Sequence, residues 1–440
     1  MVYERKLVAQ VVKELGITDL ASATIGEVVL LCGRLEQLTG KPFIRMDQGV
    51  PGLEACQIGI EAEKVALNSG CASIYPAAAG VKELKEASER FIKAFLDISI
   101  SAKSCLPVVG SVQGSFGAFI ACTQLDKKKN QVLFIDPGFP IQKSQLKIIG
   151  ASWQQFDIYK WRGEKLKEKL ESLLQGGLIS TIVYSNPNNP AWICLEEQEL
   201  EIIGQAATKY DVVVVEDLAY FCMDFRIDLA RPFEKPFAST VARYTENYII
   251  MLSGSKIFSY AGQRIAVLGV SDKLFGRNYP LLGERYGTSG HFGDTLTAAI
   301  LYMITSGATH TTQFALAAMM NAASDGQLNF VAQTSEYARR AHLMKELFIE
   351  NGFYVVYDKD VEQQVGDGFF FTIGFPNMSS GELMRELLYY GISSITLTTT
   401  GSEQQGIRAC CSRMNSKEQF AMLGERLSDF KLNHTTNLKK

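Results

Sequence analysis

Only four histidines (His291, His310, His342 and His434) occur in the 440-residue chain, and none stands at metal-ligand spacing from another. A protein-bound metal is therefore not expected, since such sites cluster several imidazole, thiolate or carboxylate ligands. The nine cysteines include no Cys-x-x-Cys pair, and only Cys410 and Cys411 adjoin. An odd, scattered set reads as reduced thiols in a cytoplasmic protein, not as a disulfide framework. No apolar run approaches the roughly 20 residues of a membrane span. Nor does a signal-peptide core follow Met1-Val-Tyr-Glu-Arg-Lys6. Charge of one sign is also lacking: the formal net charge is -3, and nucleic-acid binding normally needs a basic face. Lys127-Lys128-Lys129 is a short solvated run, and repeats or low-complexity linkers are absent.

What is present suits a soluble globular enzyme, with 47% hydrophobic and 21% charged residues. A chain beyond about 250–300 residues is expected to divide into domains. Residues 1–60 read as mostly helical. Leu7, Val8, Val11, Val12 and Leu15 form one amphipathic pattern, and Thr24-Ile-Gly-Glu27 can box the start of a helix carrying Val28, Leu31 and Leu35. From 61 to 320, apolar strands alternate with helical patterns, at 106–109, 131–135, 152–158, 179–184, 212–216, 248–252 and 265–270. That alternation predicts an α/β domain with a mostly parallel seven-stranded sheet sandwiched by helices. The runs 298–304 and 314–320 read as buried helix. Residues 321–432 begin with an amphipathic linking helix (Tyr337, Ala341, Met344, Phe348, stop at Gly352). Strands of a smaller α+β domain follow at 353–357, 368–373 and 406–410. The polar tail 433–440 is expected to be disordered.

Four segments carry chemistry. In Ser253-Gly-Ser255-Lys256, a lysine follows the apolar run 248–252, with hydroxyls before it and Arg264 eight positions later. Such a lysine can form a Schiff base with an aldehyde cofactor while hydroxyl and guanidinium hold a phosphate dianion. An ordinary solvated lysine is the competing reading. In Asp211-Val-Val-Val-Val-Glu-Asp217-Leu-Ala-Tyr220, a valine strand ends in carboxylates. A buried Asp217 would suit a protonated pyridine nitrogen, although helix capping is the better reading for that aspartate alone. Ser185-Asn-Pro-Asn-Asn189-Pro190 follows another strand, where open α/β sheets bind ligands. There Asn189 and the Tyr220 hydroxyl could both bond a phenolic oxygen. Finally, Leu106-Pro-Val-Val-Gly-Ser111-Val112-Gln113-Gly114 leads a strand into a helix expected to begin near Ser115. Its backbone amides and the helix N-terminus would favour a phosphate.

In their joint order these residues resemble the fold-type I pyridoxal-phosphate enzymes, in the aspartate aminotransferase-like superfamily (class I/II aminotransferases). The resemblance spans nearly the whole chain. It implies the cofactor pyridoxal 5'-phosphate in imine linkage to Lys256, with phosphate contacts from Ser253 and Arg264. It also implies a pyridine-nitrogen partner in Asp217 and O3′ contacts from Asn189 and Tyr220. Asp136-Pro-Gly-Phe139-Pro140 is similar to the segment whose aromatic stacks on the cofactor, which gives Phe139 that role. Ile74-Tyr75-Pro76 resembles the region whose tyrosine reaches the partner subunit's phosphate, which implies a homodimer. Gly49-Val-Pro51 resembles the glycine turn beside the substrate, and Gly406-Ile-Arg408 the strand whose arginine holds the substrate carboxylate. The small domain would be discontinuous, with the N-terminal segment packed on it.

The chain also departs from that pattern. Ala191-Trp192 stands where the family usually has threonine-glycine, which puts an indole either near the entrance or in the core. Ile265-Ala266 follows Arg264 where a glycine is common. The stretch 283–293 is glycine-rich and reads as a mobile loop. Arg285 within it is a candidate dicarboxylate arginine, against the plainer reading of a solvated arginine. The expected reaction is transfer of an amino group from an L-amino acid to a 2-keto acid through the pyridoxamine form of the cofactor. Phe139, Trp192 and several tyrosines weakly favour an apolar or aromatic donor. A C–S or related lyase would share every cofactor residue named above. A ligand-sensing regulator is the more distant alternative, as no helix-turn-helix or basic segment precedes residue 40.

Overall fold

Seven of the short apolar runs form one sheet in a computed structural model, which describes residues 1–435. Numbered along the chain within this sheet, the strands are β1 Cys105–Val108, β2 Gln131–Asp136, β3 Trp153–Asp157, β4 Ile179–Ser185, β5 Val213–Leu218, β6 Tyr248–Ser253 and β7 Ala266–Val270. Their spatial order is β1-β7-β6-β5-β4-β2-β3. Only β7 runs antiparallel to its neighbours. All seven expected strands form, each within two residues of its expected ends. Every position of β4, β5, β6 and β7 is buried, which is why those runs are apolar throughout instead of alternating. Ala118, Phe119 and Cys122 of the helix Gly110–Cys122 share one core cluster with Val132, Val183, Val215 and Met251.

The chain divides into two compact units. The larger holds residues 53–187 and 194–334; the smaller holds 1–52, 188–193 and the residues from 335 onward. The sequence boundaries near 60 and 320 thus fall at 52 and 334. The six residues 188–193 depart from the large-domain expectation. They close a tight turn of their own, Asn188 N–H to Ile193 O at 2.9 Å and Trp192 N–H to Asn188 O at 3.0 Å. The Trp192 ring then packs where Gly368 leaves room.

In the smaller unit, both bonds of the Thr24–Glu27 box form at the start of the helix Ile25–Thr39, which stops at a left-handed Gly40. A four-stranded antiparallel sheet runs in the order Ile395–Thr396, Ile407–Cys410, Phe370–Gly374, Tyr354–Val355. Ile44–Arg45 pairs in parallel with Ile392–Ser393 and so ties the early segment to the late one. The helix Glu336–Glu350 buries Tyr337, Ala341, Met344 and Phe348, as its periodicity predicts.

Several expectations are corrected. The helix after β1 begins at Gly110, not near Ser115, because Gly110 itself makes the turn with φ 70°. Ser111, Val112 and Gln113 therefore lie in its first turn. The stretch 283–293 is not a loop throughout: Pro280 opens a helix through Tyr286, Gly287 ends it with φ 64°, and a helical turn Phe292–Asp294 follows. The run 314–320 lies in the largely buried helix His310–Ser324, but 298–304 ends exposed at Met303 and Ile304. Residues 433–435 continue the helix Lys417–Thr435, and 436–440 of the expected tail lie outside the described residues. No described helix is long and apolar enough to cross a membrane.

Candidate functional site

In the larger unit, strand register brings the sequence-distant motifs to one edge. Ser185 pairs with Asp217, Leu218 with Leu252, and Ser253 with Ala266, which also pairs with Val108. The C-terminal ends of β4, β5 and β6 thus meet the end of β1 and the start of β7. Each strand then turns and presents its group. After β6, the Ser253 hydroxyl oxygen accepts from Ser255 N–H (3.1 Å) and opens the helical turn Gly254–Ile257, which carries the part-buried Lys256. Tyr220 is buried two residues beyond β5. Phe139, part-buried, follows β2 and precedes Pro140, which opens the helix Pro140–Ile149.

Asp217 is buried at the end of β5. Its two oxygens accept from Ala219 N–H and from the Gln142 side-chain amide, both at 3.1 Å. Burial outweighs these two bonds and pushes its carboxyl up to about 6. A cation placed against it would restore the charged form. A protonated ring nitrogen is a group of that kind.

At the end of β1 and the start of β7, Gly110, Ser111 and Arg264 come together. A Cβ on Gly110 would stand 2.3 Å from Arg264 Nη2, so a glycine is required there by both conformation and close approach. Arg264 itself has φ 50° and donates through Nη1 to Ala261 O at 2.9 Å. The Ser111 hydroxyl is shielded and has no hydrogen-bond partner. A shielded hydroxyl, a guanidinium and a helix N-terminus worth about half a positive charge together fit a phosphate dianion. Gln113 is different. Its side-chain oxygen accepts from Val109 N–H and its amide donates to Thr305 Oγ1 at 2.7 Å. The side chain therefore braces the turn, while the sequence reading concerned the backbone amides of this segment.

The smaller unit holds the remaining residues. Arg408 is buried, in the strand Ile407–Cys410. Its Nη1 donates to Asn189 Oδ1 at 3.2 Å and its Nη2 to Asp47 O at 2.6 Å, and the guanidinium lies 4.5 Å from the Phe370 ring centroid. Asp47 O is fixed in turn, because the Asp47 carboxylate is clasped bidentately by Arg45 (2.8 and 2.9 Å) and bonded by Ser393. The Arg45 guanidinium holds that carboxyl below the usual carboxylate range in spite of burial. Gly49 follows two residues later.

Two candidates stand apart. Tyr75 is 83% exposed, in a surface hollow shared with Leu67, Pro76 and His310. Arg285 is exposed beside Thr123 and Asp126, past the C-terminal end of the helix whose first turn holds Ser111. Thirteen residues at about 1.5 Å each separate those ends, so Arg285 does not serve the cradle. Trp192 is fully buried, which settles its identity as a packed residue. Gln142, Asp47 and Arg45 escaped the sequence reading. Only Gln142 left a trace there, as a polar residue three positions after Phe139 in the first turn of a helix at the same edge.

The family model described as aminotransferase class I and II matches residues 41–424. An asparagine–oxo-acid transaminase of Streptococcus mutans is 24% identical over 51% of this chain and 56% of its own length. An aspartate aminotransferase of Pyrococcus horikoshii is 26% identical over 50% of this chain and 54% of its own. The chain thus spans about half the length of these two relatives. A solved aminotransferase of Mycobacterium tuberculosis superposes over 93% of this chain and 96% of its own with a TM-score of 0.75, at 16% identity. The shared architecture is therefore the large, mostly parallel sheet flanked by helices.

Proposed function

Because the chain belongs to the aminotransferase class I and II family, we propose that it is a pyridoxal-phosphate-dependent aminotransferase. It would move an amino group from an L-amino acid to a 2-keto acid. The observation that carries this reading is the larger unit's sheet edge. Register alone gathers Lys256, the cation-seeking Asp217, and the Ser111–Arg264 cradle there. When bound, the cofactor would supply an aldehyde that links to amines and a ring that takes up the electron pair released at the substrate's Cα.

The chain's own residues do the rest. Ser111 Oγ, the first-turn amides of Ser111 and Val112, Ser253 and Arg264 would hold the phosphate. Asp217, held by Gln142 at 3.1 Å, would pair with a protonated ring nitrogen. Phe139 would support the ring face, and Asn189 and Tyr220 would bond its phenolic oxygen. Lys256 Nζ would hold the cofactor through its aldehyde and, as a free amine, would take up the proton from the substrate's Cα, a general-base role worth about 10²–10⁴-fold. Arg408 pairs with the α-carboxylate, a charge-assisted contact suited to a planar fork. A homodimer in which Tyr75 serves the other copy's phosphate accounts for the exposure of that ring.

The test is a single-turnover absorbance scan of cofactor-loaded protein against a panel of amino acids, without keto acid. Conversion of the cofactor to its amine form with release of a keto acid is the expected result, and the fastest donor names the substrate class. Release of pyruvate, ammonia or thiol with the cofactor regenerated would make the protein a lyase. Binding without turnover would make it a sensor.

A further inference from the structure

Trp192 is unusual in backbone and side chain alike. Its φ is 62°, a left-handed conformation that a bulky L-residue keeps only when its surroundings over-determine it. Its side chain is among the largest that are fully buried in the protein. The indole occupies a notch at Gly368, where a Cβ would stand 1.9 Å from the ring. It meets the Phe370 ring edge-on, with centroids 6.4 Å apart. Phe370 lies under the Arg408 guanidinium, and Arg408 bonds Asn189, three residues before Trp192 in the same turn. The contacts therefore close a ring: Trp192, Phe370, Arg408, Asn189 and back along the chain.

We propose that Trp192 is a positioning residue, a wedge seated at Gly368 that makes Arg408 and Asn189 move as one body. The consequence rests on the proposed function, in which Arg408, bonded to Asn189, receives the substrate's α-carboxylate. The wedge would set the affinity for that carboxylate and leave cofactor retention, which depends on the Ser111–Arg264 cradle, to other residues. Glycine is at ease at φ 62°, so Trp192→Gly removes the wedge without straining the turn. Trp192→Phe restores part of it. Gly368→Ala keeps the indole and pushes it with one added methyl.

The experiment is steady-state kinetics of the cofactor-loaded variants with the fastest donor. It is paired with calorimetric titration of two carboxylates that lack an amine, 3-phenylpropanoate and succinate. Trp192→Gly is expected to raise KM by about 10-fold or more and to lower kcat by less than about 3-fold. Trp192→Phe should fall between it and wild type, and Gly368→Ala should reproduce the KM effect. If Trp192→Gly does not fold, Gly368→Ala carries the test. An unchanged KM and unchanged carboxylate affinity in soluble variants would overturn the proposal and leave Trp192 a core filler. Should wild type turn over no amino acid yet bind a carboxylate that the variants lose, the wedge stands and the aminotransferase reading fails. Binding of neither carboxylate by a wild type that also turns over no amino acid overturns both.

Discussion

The strand-end edge of the larger unit and the Arg408 cluster of the smaller unit are built on opposite plans. At the edge, each group sits at or just beyond the end of its own strand: Lys256 after β6, Asp217 at the end of β5, Ser111 after β1. A parallel sheet delivers such groups to one place because its strands end together. In the smaller unit, Arg408 is held by Asn189, Asp47 and Phe370. These residues lie on four separate stretches of chain. The first plan tolerates the loss of one member, since the others keep their own supports. The second makes every member depend on the rest.

That contrast can be broken or sharpened by substitution, beginning with the largest effect. Lys256→Ala removes the proton carrier and should lower single-turnover rates by about 10²–10⁴-fold. Cofactor held non-covalently by the cradle should still be detectable by dialysis. Asp217→Asn should cost at least about 10²-fold in kcat, and it carries a separate stability signature. In cofactor-free protein, burial raises the Asp217 carboxyl from 3.8 to about 6. The folded state therefore holds its proton more tightly than the unfolded state. Stability from this group is present below pH 4 and lost as pH rises towards 6, by about 3 kcal/mol at roughly 1.4 kcal/mol per pH unit. Denaturant titrations should show that loss flattened in Asp217→Asn. Asp136 and Glu216, pushed up by burial to about 6 and about 7, remain in both proteins, so the difference isolates Asp217.

Arg408→Lys keeps the charge but loses the fork. About 1.5–3 kcal/mol of charge-assisted bonding translates into a KM for the amino acid raised by roughly 10–100-fold, with cofactor retention as in wild type. A comparable loss of cofactor would erase the distinction between the two plans. Gly110→Ala should do the reverse. It places a methyl against Arg264 and should weaken cofactor binding by about 10-fold, read by equilibrium dialysis, while the KM stays within a factor of about 2. Smallest of all, Arg285→Ala should leave rates with dicarboxylate donors within about 2-fold, because that residue stands past the far end of the helix whose first turn holds Ser111.

How much of this was legible follows the same divide. The valines of β5 and the Tyr248-Ile-Ile-Met-Leu252 run of β6 announce strands buried on both faces, and Lys256 and Asp217 come with them. Gly110 is visible as a turn, but its closeness to Arg264 is not, because that contact spans more than 150 residues and depends on β7 pairing with β1. Gln113 looks like a ligand in sequence, and only the structure directs its amide to Val109 and Thr305. The 283–293 stretch misled because Gly287 ends a helix there and does not loosen a loop. Arg45 and Asp47 were invisible, since an arginine two residues from an aspartate on a two-residue strand leaves no periodic signal. Trp192 was visible only as a departure from a resemblance.

The parallel pairing of Ile44–Arg45 with Ile392–Ser393 also sets a schedule for synthesis. Residues 1–52 belong to a body whose other main segment begins at residue 335. A ribosome adding about 5–20 residues per second would leave that early piece without its partner strand for a quarter of a minute or longer. Throughout that interval Ile44–Arg45 lacks the strand it pairs with in the finished protein. Completion of the smaller body therefore waits on the segment from residue 335 onward.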